Sequence, residues 1–200
     1  MHILLTRPLE DCSEMILKFQ LLGHKVSHLP LLNINKVEYE KVKFSDYEGI
    51  IFTSANAVKF LELDDQVKNI DCFCVGDITE KKARSVGFKN TIAAEGNVLN
   101  LKELIIQNYK SKNKNLLYVS GELVSFDLDK ELLKEGFGVK RLINYTTIHN
   151  QNFDENFIKE LKLNMPDMVY VYSQNSSLSF LSFIKNNQLE SLWMDTNLSC

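Results

Sequence analysis

Five short turns carry most of the groups in this sequence that could touch a ligand. They are Thr6-Arg7, Ser54-Ala55-Asn56, Gly76-Asp77-Ile78-Thr79, Ser120-Gly121-Glu122 and Ser173-Gln174-Asn175-Ser176, each placed after an apolar run. They are rich in small and hydroxylic residues, and several precede helical patterns. The first turn of a helix offers free backbone N–H groups and a partial positive charge, so it holds anions without a cationic side chain. The same residue types are preferred N-caps whatever the function. Five such turns, on two lobes, favour a cleft for several anions more than any single turn does. Arginine is scarce, with only Arg7, Arg84 and Arg141. Arg7 sits in one of the turns, where a guanidinium grips a carboxylate through two parallel hydrogen bonds. Tyr145 is expected to end a strand within Ile143-Asn144-Tyr145-Thr146-Thr147. A tyrosine there either packs half-buried with its hydroxyl bonded or aims a phenol at a ligand.

Other chemistries find little support. No G-x-G-x-x-G, P-loop, H-E-x-x-H or G-x-S-x-G pattern occurs. His24 and His28 are four apart, but Gly23 ends the helix before them, so they share no helical face and no metal is expected. Cys12, Cys72, Cys74 and Cys200 form no pair of CxxC motifs; Cys72 and Cys74 alternate along a strand-like run and read as small buried hydrophobes. Reduced thiols and a cytoplasmic location follow as expectations. The net charge of −3 argues against nucleic-acid binding through a broad basic surface. The lysine-rich stretch from Tyr109 to Lys114 reads as a solvated loop. No apolar run approaches the roughly 20 residues of a membrane span, and the start from Met1 to Pro8 lacks the basic region and cleavage site of a signal peptide.

The elements that must position the turns alternate. Ile3-Leu4-Leu5 reads as a buried strand and Glu10 to Leu22 as a helix stopped by Gly23, with a strand from Val26 to Leu32 after it. Gly49 to Thr53 reads as a strand breaking at Ser54 into a helix. Cys72 to Val75 is a further strand, Gly76 to Thr79 a turn, and Glu80 to Val86 a helix ended by Gly87. Apolar strands alternating with amphipathic helices predict a parallel sheet covered on both faces.

This order begins again. Leu116 to Val119 followed by Ser120-Gly121 answers Ile3-Leu4-Leu5 followed by Thr6-Arg7. The helix ending at Gly136 and the strand from Val139 to Tyr145 answer Leu21-Leu22-Gly23 and its strand. Val169 to Ser176 answers Ile50 to Ala57. A duplicated α/β unit is therefore expected. In the second half, Asn197 to Cys200 reads as the opening of the strand that answers Cys72 to Val75. Its turn and helix would fall beyond Cys200, so the last lobe is expected to be incomplete.

In series, these motifs resemble those of the uroporphyrinogen-III synthase family. The resemblance rests on Leu4-Leu5-Thr6-Arg7-Pro8, Gly23-x-x-Val26-x-x-x-Pro30-Leu31, Ile51-Phe52-Thr53-Ser54-x-x-Ala57-Val58, Val75-Gly76-x-x-Thr79 and Glu95-Gly96-Asn97. It extends through Gly136-x-x-Val139-x-x-x-x-x-Tyr145-x-Thr147 and Val171-Tyr172-Ser173-x-x-Ser176. Each is weak singly; their order over the whole chain is specific. The resemblance implies two flavodoxin-like lobes joined by a pair of strands, with residues 1–35 and 150–200 in one lobe and 36–149 in the other. It implies a lyase without metal or organic cofactor that cyclises hydroxymethylbilane, a linear tetrapyrrole bearing acetate and propionate on every ring. The enzyme removes the terminal hydroxyl as water and inverts the last ring. Tyr145 would assist departure of the hydroxyl. Ser54, Ala55, Thr79, Ser120, Gly121, Ser173 and Gln174 would offer substrate contacts, mainly through backbone amides, with Arg7 as a carboxylate partner. A monomer acting on a small molecule, without nucleic-acid or membrane partners, is expected. Two other readings keep the same motifs: a truncated, inactive homologue, and a two-lobed receptor for a small anion that would not need Tyr145.

Overall fold

The computed structural model describes residues 1–111, 113–150, 152–193 and 197–199. The chain opens with β1 (His2–Leu5), α1 (Leu9–Leu21), β2 (Lys25–His28) and β3 (Leu32–Lys36). It continues with β4 (Gly49–Phe52), α2 (Ala55–Lys59), β5 (Asp71–Val75), α3 (Gly76–Ser85), β6 (Thr91–Ala94) and α4 (Val98–Asn108). Then come β7 (Asn115–Gly121), α5 (Leu128–Lys134) and β8 (Gly138–His149). The last elements are α6 (Glu155–Leu163), β9 (Met168–Tyr170), α7 (Gln174–Asn186) and β10 (Asn197–Ser199). Two compact units result: residues 1–33 with 148–200, and residues 34–147. The chain crosses between them inside β3 and again inside β8.

The first unit holds a parallel sheet in the order β10-β9-β1-β2. Side chains alternate across a strand, and here the alternation sorts the core. Leu4 and Val169 face a cluster with Leu161 of α6 and Phe180, Phe183 and Ile184 of α7. Ile3 and Leu5 face the other way, onto Cys12, Met15, Ile16 and Phe19 of α1. Each of these side chains contributes about 1.5–3 kcal/mol when fully withdrawn from water.

In the second unit the sheet runs β3-β8-β7-β4-β5-β6, and β8 to β6 are parallel neighbours. Ile50, Phe52, Cys72, Cys74, Leu117 and Val119 lie on the face covered by Ala57 and Val58 of α2 and Ala83 of α3. Ile51, Phe73, Leu116 and Tyr118 lie on the face covered by Leu101 and Ile105 of α4 and Leu128 and Leu132 of α5. Cys72 and Cys74 are buried free thiols within that packing.

The two sheets share one topology once the duplication is followed. Taking β1 as first in one unit and β7 as first in the other, the orders are β2-β1-β9-β10 and β8-β7-β4-β5-β6. The second half of the flavodoxin-like order thus precedes the first half in the 34–147 unit. In each unit the chain leaves two adjacent central strands toward opposite faces: β1 to α1 and β9 to α7, β7 to α5 and β4 to α2. Ligand sites of open α/β sheets form at such switch points, beyond the carboxyl ends of the strands.

Four expectations change, the first being that the strand read as ending at Tyr145 runs on through β8 to His149. Val26 to Leu32 is not one strand: β2 stops at His28 and β3 starts at Leu32, beyond the buried Leu29 and Leu31. The Gly76 to Thr79 turn is instead the first turn of α3, which begins at Gly76 with φ +72°. Tyr109 is no solvated loop residue; its ring packs edge-on against Phe73, and its hydroxyl donates to Asp71 Oδ2 at 3.0 Å.

Candidate functional site

The sheet registers align the two switch points residue by residue. Leu4 pairs with Val169, and Leu117 with Ile50, each on the face covered by the helix that follows β9 or β4. Leu5 therefore answers Tyr118, one residue away from the Leu5–Val119 match read in sequence, and Arg7 answers Ser120. Ser173 and Ser54, each four residues beyond those paired positions, answer one another. So do His28 and Arg141, the β2 and β8 partners of Leu5 and Tyr118.

At the switch point of the first unit, Thr6 donates its hydroxyl to Tyr170 O at 2.6 Å. Arg7 holds its guanidinium carbon 4.1 Å from the centre of the Tyr172 ring, a cation–π contact of about 0.5–1 kcal/mol at a partly exposed site. Burial raises the Tyr172 phenol above its ordinary pKa, and the Arg7 charge opposes that rise. His28 Nε2 lies 2.6 Å from the Arg7 carbonyl. A carbonyl only accepts, so that nitrogen carries the proton. No carboxylate pairs with Arg7 among the described residues. Ser173 caps α7: its Oγ accepts from Ser176 N at 3.2 Å, while Ser176 Oγ accepts from Ser173 N at 2.8 Å and Tyr172 N at 2.9 Å. Gln174 opens that helix, its side chain lying outside the described residues.

At the switch point of the second unit, Ser54 caps α2, its Oγ accepting from Asn56 N at 3.2 Å. Thr53 and Tyr118 share a hydrogen bond of 3.2 Å between their hydroxyls. Ser120 is buried and spoken for: its Oγ accepts from Arg141 Nε at 2.9 Å and donates to Gly121 O at 3.1 Å. Arg141 also donates from Nη2 to Gly121 O at 2.8 Å and Glu122 O at 2.9 Å. It thereby clamps the β7 turn, as His28 holds the turn after β1. The Tyr145 ring lies directly on Gly121, whose missing side chain leaves it room. Its hydroxyl has no hydrogen-bond partner among the described residues. Thr79 is buried in the first turn of α3 rather than presented on a turn.

The candidates thus fall into two groups. Arg7, Ser173 and Gln174 gather in one unit, and Ser54, Ala55, Ser120, Gly121 and Tyr145 in the other, with Thr79 set back in the core. The Ser54, Ser120 and Ser173 hydroxyls hold protein groups, which leaves backbone amides and the half-buried Arg7 and Tyr145 side chains as candidate ligand contacts. Sequence reasoning missed the Tyr172 ring under Arg7 and the Arg141 clamp; scarcity of arginine was the one signal for the latter.

The fold is that of a duplicated α/β protein, with the candidate groups set beyond the carboxyl ends of parallel strands. The family model HEM4, uroporphyrinogen-III synthase HemD, matches residues 13–199. Among solved structures, a mutant uroporphyrinogen III synthase from the extreme thermophile Thermus thermophilus is similar in fold, with a TM-score of 0.64 at 12% identity over 98% of this chain and 82% of that one. Uroporphyrinogen-III synthetase from Helicobacter pylori 26695 has a TM-score of 0.63 at 17% identity over 99% of this chain and 92% of that one. No curated protein matches the chain. The chain belongs to the uroporphyrinogen-III synthase family, lyases of haem biosynthesis whose small-molecule substrate is hydroxymethylbilane. No helix among the described residues is long and apolar enough to cross a membrane.

Proposed function

We propose that this chain, acting as a cytoplasmic monomer, closes hydroxymethylbilane to uroporphyrinogen III with Tyr145 as the acid that releases the terminal hydroxyl. One observation carries the role: the Tyr145 phenol stands over Gly121 at the last β7–β8 pair, with its proton uncommitted to any protein acceptor among the described residues. The carbon–oxygen bond breaks with its electron pair on oxygen, and the phenol proton completes the departing water. The cation left behind is delocalised into the pyrrole nitrogen, so no strong nucleophile or Lewis acid is required. Ring closure at the inverted pyrrole ends with loss of a ring proton, which restores the phenol. The rate gain comes from proton donation and from holding the chain ends in reacting geometry.

Substrate carboxylates take the remaining donors in this reading. Arg7 offers a guanidinium held over the Tyr172 ring. The N-terminal amides of α7 and the Ser54-Ala55 turn supply neutral donors. Thr79, being buried, acts through packing of the α3 turn.

Purified protein given hydroxymethylbilane tests the reading, with type III product separated from the type I isomer that forms spontaneously. Type III is expected to dominate, and Tyr145→Phe to lower kcat roughly 100-fold with KM little changed. Type I alone from a folded chain would overturn the proposed activity. Full turnover by Tyr145→Phe would remove the tyrosine's role only.

A further inference from the structure

The pairing of β7 with β8 contains an irregularity beside the proposed acid. Ser120 pairs with Ile143, yet the next residue, Gly121, pairs with Tyr145. One residue of β7 is thus opposed by two of β8, and Asn144 is the extra one, as in a β-bulge. Such an insertion changes which face of the sheet the following residues occupy. Leu142 packs on the face covered by α2 and α3, and Ile143 is exposed at 36%. Strict alternation would send Tyr145 to the side of Ile143. It packs instead against the same cluster as Leu142, and the bulge also brings its ring over Gly121.

Asn144 pins this bulge. It has no exposed surface. Its Nδ2 donates to Ala57 O at 2.7 Å, a carbonyl in the last turn of α2, where helix carbonyls lack intrahelical partners. Its main-chain oxygen accepts from Val37 N at 3.0 Å. Its Oδ1 is buried with no donor among the described residues. A half-satisfied buried amide is costly, and a hydrophobe of similar size would avoid that cost but could not hold Ala57.

We infer that Asn144 is a positioning residue: its bond to Ala57 holds the bulge that sets the Tyr145 phenol over Gly121 and ties it to the helix behind the Ser54 turn. The inference rests on the proposed role of Tyr145, and its test separates the two. Asn144→Ala should lower kcat roughly 10- to 100-fold with KM nearly unchanged, as for a misplaced catalytic group. In the Tyr145→Phe background, Asn144→Ala should cost little more. Independently of turnover, the protein carrying 3-fluorotyrosine should show the ¹⁹F resonance of Tyr145, assigned by its loss in Tyr145→Phe, shifted or split by Asn144→Ala. Should Asn144→Ala not fold, Asn144→Ser takes its place, because a serine hydroxyl is too short to span to Ala57. An unchanged fluorine resonance overturns the positioning role, whatever happens to turnover. A kcat loss that simply adds to that of Tyr145→Phe overturns it as well. A shifted resonance with Tyr145→Phe fully active leaves the positioning intact and refutes the acid.

Discussion

The Tyr145 ring rests on Gly121 so closely that a β-carbon on Gly121 would lie 2.7 Å from both Cε2 and Cζ and 3.0 Å from the phenolic oxygen. Backbone conformation does not demand glycine at this position; the approach of the ring does. Gly121→Ala should therefore push the phenol aside and cost about 1–3 kcal/mol of stability. It should also lower kcat roughly 10-fold or more, with the fall exceeding what loss of folded protein explains. Thermal melting combined with steady-state kinetics checks both parts.

Arg7 and Tyr172 give a second prediction. Arg7→Lys keeps the charge but loses the guanidinium contact with the ring and the two-pronged grip on a carboxylate. KM should rise about 3- to 10-fold, with kcat nearly constant. Arg7→Ala loses the charge too and should raise KM roughly 10-fold or more. Unchanged KM in both variants would place the substrate's carboxylates elsewhere.

Ser173 serves α7 through a reciprocal cap with Ser176. Ser173→Ala should cost about 1 kcal/mol, a fall of about 2–4 °C in Tm for a chain of this size. KM should stay within a few-fold, since the hydroxyl is occupied by the helix. A larger rise would show that the hydroxyl itself reaches the substrate.

Tyr109 makes alkaline stability testable. Burial first, then the nearby Asp71 carboxylate, raises its phenol well above the ordinary value. In the unfolded chain the phenol ionises near pH 10, so the folded state binds the proton more tightly. The resulting stability is fully present below pH 10 and is lost as pH rises beyond it toward the folded value. Tyr109→Phe should flatten this decline while lowering stability at neutral pH by about 1 kcal/mol. Chemical denaturation across pH 8–11 measures both effects.

Much of the fold was legible because strand alternation and helical spacing are local signals. The runs Ile3-Leu4-Leu5, Ile50-Ile51-Phe52 and Cys72-Phe73-Cys74 are each buried end to end and sort onto two faces as parallel strands should. Ser54 and Ser173 stand where their types predict, as caps. Thr79 was misplaced because Gly76 reads as a turn residue, whereas here it uses its positive φ to start α3 at once. The repeat was legible in order but wrong by one residue at β1 and β7, since matching apolar runs leaves the register open until neighbouring strands pair.

The turns, their order and the duplicated unit were thus determined by the sequence itself, through periodicities that act over a few residues. Tertiary structure decided what those groups are free to do. Only folding lays Arg7 on Tyr172, consumes the Ser120 hydroxyl with Arg141, and inserts Asn144 as a bulge that turns Tyr145 toward Gly121. Each depends on partners far apart in the chain, such as Asn144 and Ala57 at 87 residues' separation. No local pattern encodes such pairings, because the geometry that selects them exists only once the sheets have closed.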